Sequence, residues 1–289
     1  LPVVAALVCA LRVWASLDAR YPRVVADEVA YLGMARLLAG GEPWNLGLAS
    51  TYGPGYSVLL VPWFALDLSP DAIYRAGVWT NVALAGGTFW AFEALARRLP
   101  RIDRPVSVGL AAVAASLPAL VATTGLVWSD DLAPLVFVLL LLAVAGTVDR
   151  PDPRRLAALV TATAAGYAVH ARFLPLAPVV LGLLVVLAVT RRVGVRSAVV
   201  AGVGVVVGIA AVHVGQGVLY DALYEPGQVT SGINEAHRIT RVRPLLLSAA
   251  GQAWYLTVTT AGVAAAGAVA VGITWLRHLD VLRRERSLV

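Results

Sequence analysis

The chain has 289 residues, of which 59% are hydrophobic and only 14% charged, with a mean hydropathy of +0.78. Soluble domains carry about 25% charged residues, so composition excludes an ordinary soluble domain and predicts an all-α polytopic membrane protein. Lipid-exposed backbone admits only helices and closed barrels, and barrel strands would alternate.

The net charge of +6 sets 23 basic residues, all arginine, against 17 acids, and the arginines cluster in short loops between apolar runs. That placement is a topology signal with attraction to anionic lipid as a secondary effect, so no nucleic-acid partner is expected. Absence of lysine alongside abundant Ala, Val and Gly suggests a GC-rich bacterial genome. Cys9 is the only cysteine, which excludes an internal disulfide and a Cys-based metal site.

Apolar runs cover roughly 1–17, 55–68, 76–96, 106–127, 132–148, 156–169, 173–190, 197–219 and 245–276. The first is read as a retained anchor, and the chain as a piece of a longer protein. Four connections are rich in arginine: 97–104, 149–155, 191–196 and the tail from Arg277. The positive-inside rule places these in the cytoplasm. The alternate connections, 128–131, 170–172 and 220–244, then face outward. Counting back puts 18–75 outside as well, so the short run 55–68, interrupted by Pro62, cannot cross and is predicted to be a juxtamembrane or re-entrant helix. The expectation is about eight spans in one transmembrane core over 1–289. It has juxtamembrane helices in the first outer loop, 18–75, and a second outer loop at 220–244.

The outward connections hold the chemistry-bearing residues. Asp27 and Glu28 open a helix predicted to run to Leu38 and end at Gly40-Gly41, with Val29, Leu32, Ala35 and Leu38 at helical spacing. Such acids suit a helix N-terminus, and they also make a candidate general base with its helper at headgroup level. Asp130 and Asp131 mark the second outer turn, either as cap and topology marker or as a second acidic wall of the same site. His170 and Arg172 lie in the third. Arg172 breaks the charge pattern locally and is read as a phosphate clamp or a snorkelling anchor.

Residues 225–244 include Glu235, His237, Arg238, Arg241 and Arg243, read mainly as a solvated loop. Trp254 and Tyr255 fit an interfacial belt. Gly204 and Gly208 form a GxxxG packing pattern. His213 is expected to be a buried neutral histidine. No His, Asp or Glu set has metal-ligand spacing, and neither a nucleophile elbow nor a phosphate-binding Gly-rich loop occurs.

Together these residues resemble the GT-C superfamily of integral-membrane glycosyltransferases, which includes protein O-mannosyltransferases and aminoarabinose-type lipid A transferases. The similarity rests on Asp27-Glu28-x-x-Tyr31 after the first span, Ala35-Arg36-x-Leu38-x-x-Gly41, Gly53-Pro54-Gly55-Tyr56 and the turn Ser129-Asp130. It departs from aminoarabinose-type members at Ala30 and Gly53, where those carry a basic residue and a lysine.

The resemblance implies a polyprenyl-phosphate-linked sugar donor, a site on the extracytoplasmic side of the plasma membrane, and an acceptor that is a protein, glycan or lipid. It implies inverting transfer, with Asp27 as catalytic base and Glu28 beside it. Arg172, His170, Asp130, Asp131 (the register alternative), Tyr31 and Tyr52 would bind donor phosphate or sugar. No cofactor is specified, with a divalent cation as an open option. The competing reading is a polytopic transporter or lipid flippase, which requires polar residues at mid-span.

Overall fold

A computed structural model describes residues 1–23, 25–44, 52–66 and 68–223. The chain divides into two compact units, Leu1–Ser116 with Leu120–Thr230, and Leu117–Ala119 with Ser231–Val289. The second unit falls almost wholly outside the described residues. So do the predicted run 245–276, the tail arginines, Trp254, Tyr255 and most of the loop 220–244.

Among the described residues the regular structure is helical throughout. Ten α-helices follow in order: α1 (Pro2–Ala15), α2 (Val25–Leu38), α3 (Gly55–Ala65), α4 (Pro70–Ala96), α5 (Arg104–Ala115), α6 (Pro118–Thr123), α7 (Leu132–Asp149), α8 (Pro153–Val169), α9 (Leu176–Val189) and α10 (Val195–Leu223). Single 3-10 turns at Ser129–Asp131 and Ala171–Phe173 precede α7 and α9. Three segments are long and apolar enough to cross a membrane: Ser129–Asp149, Ala171–Val189 and Val195–Leu223.

Local chemistry sets many of the boundaries. Ser69, Asp103 and Asp152 each accept a hydrogen bond from a first-turn N–H, with a proline just inside the helix. A capping oxygen satisfies an orphan donor, and proline there loses no bond. Gly40, at φ +83°, closes α2 where the sequence predicts. α3 has 11 residues, about 16 Å of helix, roughly half a hydrocarbon core, in keeping with a segment that does not cross.

The predicted run 106–127 is not one helix. It breaks between α5 and α6, because Pro118 offers no N–H and disfavours helical geometry in the residue before it. Extended backbone at Trp128 then leads into the 3-10 turn.

The helices alternate between two ends of the unit. α4, α7 and α9 run toward the arginine-rich connections, and α5, α8 and α10 run away from them. Arg98 pairs with Asp149 at 3.0 Å, and Arg192 reaches the Val148 carbonyl at 3.3 Å. The three described arginine-rich loops therefore gather at one end. The loops holding Asp27, Asp130 and His170 lie at the other. Between them, Gly204 and Gly208 let α10 approach α8, where an added Cβ would meet Val160 Cγ1 at 3.2 Å and Ala164 Cβ at 3.0 Å.

His213 is not buried as expected. It lies on the exposed side of α10, its Nδ1 3.0 Å from the Tyr167 hydroxyl.

One buried ion pair fastens the first helix. Arg12 is 1% exposed, and its Nη1 lies 3.0 Å from Asp131 Oδ1. It also donates to Thr124 Oγ1 (2.7 Å), to the Ala115 carbonyl (2.6 Å) and to the Leu120 carbonyl. The carbonyls freed by the broken α5–α6 segment thus find a donor, and the turn before α7 is tied to α1. Removing one partner of a buried pair costs about 3–5 kcal/mol, whereas exchanging both for apolar residues is often neutral. Arg12→Leu is accordingly expected to lose stability of that order in detergent unfolding. Arg12→Leu/Asp131→Leu should recover most of the Asp131 component, leaving the loss at the three other acceptors.

Candidate functional site

The end of the unit opposite the arginine loops brings together residues far apart in sequence. Asp27 and Tyr31 lie one turn apart on α2, so they share a face. Tyr52 precedes α3, Ser129 and Asp130 form the turn before α7, and His170 and Arg172 form the turn after α8. The Tyr31 hydroxyl donates to Ser129 Oγ at 2.7 Å. Its ring stacks on Tyr52 at 5.0 Å between centroids, and Tyr52 in turn lies 5.8 Å from the His170 ring. Asp130 interacts electrostatically with Arg172 and with Asp27, and Tyr31 with both carboxylates. Two acids, one arginine, one histidine and two tyrosines therefore form one group.

Glycine at 53 and 55 makes this convergence possible. A Cβ on Gly55 would sit 2.8 Å from the Ala168 carbonyl carbon and from Val169 N. One on Gly53 would collide with the Ala168 carbonyl and approach Gln216 Nε2 at 2.9 Å. The contacts with Ala168 and Val169 are with backbone that cannot yield, so only glycine lets the segment after Tyr52 lie against the end of α8, next to His170.

Glu28 occupies a different place from its neighbour. It is 0% exposed. Its Oε1 accepts from the Tyr74 hydroxyl and from Val127 N, both at 2.7 Å, and its Oε2 accepts from Arg23 N at 2.7 Å. Asp131 likewise lies buried against Arg12. Asp27 and Asp130 are the partly exposed acids that join the group.

Several supporting residues carry no obvious signal in the sequence. The Tyr56 hydroxyl donates to Asn81 Oδ1 (2.6 Å), Asn81 Nδ2 donates to the Leu126 carbonyl (2.6 Å), and Ser57 Oγ donates to the Tyr31 carbonyl (3.0 Å). Arg12 could have been found from the sequence, because an arginine inside an apolar span demands an internal partner.

Burial, aided by the positive charge of Arg172, pushes the His170 imidazole down to about 4. At neutral pH it is uncharged. Its Nδ1 accepts from Arg172 N at 3.1 Å, which leaves the proton on Nε2 as a donor. Arg172 is exposed and supplies the positive charge of the group. Burial raises the Tyr31 phenol above its ordinary range, so it too remains a neutral donor. Asp27 and Asp130 are the carboxylates placed to face a cation, but among the described residues no cluster of three His, Cys, Asp or Glu side chains completes a metal site.

Among the described residues the fold and the site define an all-helical unit with three segments long and apolar enough to cross a membrane and an ionic cluster at one helix end. No protein-family model matches the chain, and no curated protein sequence matches it at a significant level.

Two outcomes are expected. Glu28→Gln sets an amide NH₂ against one of the three donors around this buried carboxylate; an unmade buried hydrogen bond costs about 1–3 kcal/mol, so unfolding in detergent should show a loss in that range. For His170, the folded state prefers the neutral form, so its contribution is complete above 6.5 and is lost as pH falls from there toward about 4. Melting temperatures across that window should fall less steeply in His170→Gln than in the parent.

Proposed function

We propose that the chain is the membrane core of an inverting glycosyltransferase that takes a sugar from a polyprenyl-phosphate carrier. The observation that carries this reading is the convergence of Asp27, Asp130 and Arg172, from three separate connections, on one group at one helix end. A transferase of this type needs a base beside the acceptor hydroxyl and a cation beside the leaving phosphate, both where the lipid headgroup lies.

In this mechanism Asp27 takes the proton of the acceptor hydroxyl as its oxygen attacks the anomeric carbon. The bond from that carbon to the phosphate oxygen breaks on the opposite face, so the configuration inverts. Arg172 stabilises the charge on the departing lipid phosphate, since a guanidinium matches two phosphate oxygens at once. Neutral His170 donates through Nε2 without adding charge. Tyr31 and Tyr52 present an aromatic stack against which a sugar ring can lie. Asp130 is the acid that faces this group, and Glu28 and Asp131 position Asp27 and Asp130 from behind.

The proposal extends to topology. The gathered arginine loops are cytoplasmic by the positive-inside rule; the Asp27 end is extracytoplasmic. The membrane is the plasma membrane, crossed about eight times once the residues beyond 223 are included. The acceptor is a hydroxyl of a protein, glycan or lipid.

The test is transfer from polyprenyl-phosphate sugars in membranes expressing the full reading frame. A positioned base contributes typically 10²–10⁴-fold and an electrostatic donor about 10²–10³-fold. Asp27→Asn should therefore lose at least about 100-fold at equal expression, and Arg172→Gln a comparable factor. Undiminished activity in Asp27→Asn would remove Asp27 as the base. No turnover of any donor, with substrate uptake instead, would establish the transporter reading.

A further inference from the structure

A cavity lies on another face of α2. It has a volume of about 610 Å³ and is bounded by α2, α3 and the start of α4, within the range of about 300–1,000 Å³ typical of small-molecule sites. Val29, Leu32, Phe64 and Ile73 give it apolar walls. Arg36 is the only charged residue among the described residues lining it.

The state of Arg36 is informative. Its guanidinium carbon lies 5.3 Å from the centre of the Trp44 ring, which also lines the cavity. Among the described residues no carboxylate pairs with it. The ring contact holds the guanidinium at the cavity, where it can meet an anion through two N–H groups at once. Leu68, which lines the cavity, is 36% exposed and adds to its apolar lining, so the described wall suits a hydrocarbon chain.

We infer that this cavity binds one anionic membrane phospholipid, its phosphate on Arg36 and the upper part of an acyl chain along the apolar wall. Charge complementarity selects the head and the apolar lining selects the source. Tyr74 connects the cavity to the candidate site: its ring lines the cavity while its hydroxyl donates to Glu28. A bound lipid would brace the helix that carries Asp27. The inference rests on the cavity alone and does not require the transferase reading.

The test is native mass spectrometry of the full chain in neutral detergent, titrated with phosphatidylglycerol, diacylglycerol, polyprenyl phosphate or inorganic phosphate. One phosphatidylglycerol is expected to bind at least about 10-fold more tightly than diacylglycerol, with inorganic phosphate competing only weakly. Arg36→Gln and the cavity-filling Ile73→Trp should each weaken binding about 10-fold or more, Arg36→Lys less, and the exposed control Arg20→Gln not at all. A melting curve for each variant verifies folding. Equal retention of diacylglycerol, or unchanged binding in a folded Arg36→Gln or Ile73→Trp, would overturn the site. Tighter binding of polyprenyl phosphate that is lost in a folded Arg36→Gln but kept in Arg172→Gln would overturn its assignment to a membrane phospholipid. Asp27→Asn should bind phosphatidylglycerol as the parent does, so the outcome stands apart from that of the transfer assay.

Discussion

The buried carboxylate of Glu28 is the interaction on which the helix-end group depends. It accepts from Arg23 before α2, from Tyr74 on α4 and from the Val127 amide ahead of α7. An isolated buried carboxylate would be costly, whereas hydrogen bonds to a charged group contribute about 1.5–3 kcal/mol each. Three such bonds fix α2 against two other segments at its first turn. The rotation of α2 follows, and with it the directions of Asp27 and Tyr31. Tyr31 then bonds Ser129 and stacks on Tyr52, carrying the same constraint to the 3-10 turn and to the loop before α3.

The two acidic pairs divide their work in the same way. Glu28 and Asp131 are buried and bound by the scaffold, while Asp27 and Asp130 are partly exposed and close enough to repel each other, with Arg172 as the opposing charge on Asp130. Consecutive residues on a helix point about 100° apart, so two adjacent acids cannot both face one site. Asp-Glu and Asp-Asp at these turns therefore read as one scaffold acid and one facing acid each. This also explains how Arg12, deep in α1, bears on the site: by holding Asp131 it sets the turn that presents Asp130.

Much of this was legible in the sequence where a single local rule governs. The end of α2 at Gly40, the shortness of α3 and the grouping of the arginine loops follow from φ freedom, chain length and charge placement. So does the contact of Gly204 and Gly208 with α8. The break at Pro118 was missed because hydropathy continues across it, although proline geometry alone forecasts it. The placements of Glu28 and Asp131 could not be read, because nothing in an Asp-Glu or Asp-Asp string says which acid turns inward. Tyr74, Asn81 and Ser57 were equally hidden, since their roles depend on partners 25 to 51 residues away. His213 was misjudged because an apolar surround in sequence does not distinguish the packed side of α10 from its outward side.

The helix α2 is best understood as a partition. Positions 27 and 31 share one face, positions 29, 32 and 36 another, and position 28 fastens the helix between them. The first face carries Asp27 and Tyr31 in the group with Asp130 and Arg172; the second carries an apolar wall ending in Arg36, which meets Trp44 beyond the helix. Fourteen residues, about 21 Å of helix, are too short to cross a hydrocarbon core of about 30 Å but long enough to separate the ionic group from the cavity. A helix in that position has to be held from the side rather than by burial along its length. The short reach of α3, the glycines that press its start onto α8 and the Tyr74–Glu28 bond all serve that requirement. What distinguishes this end of the fold from the rest of the bundle is thus a short helix made rigid by polar contacts, with ionic chemistry on one side and an apolar cavity on the other.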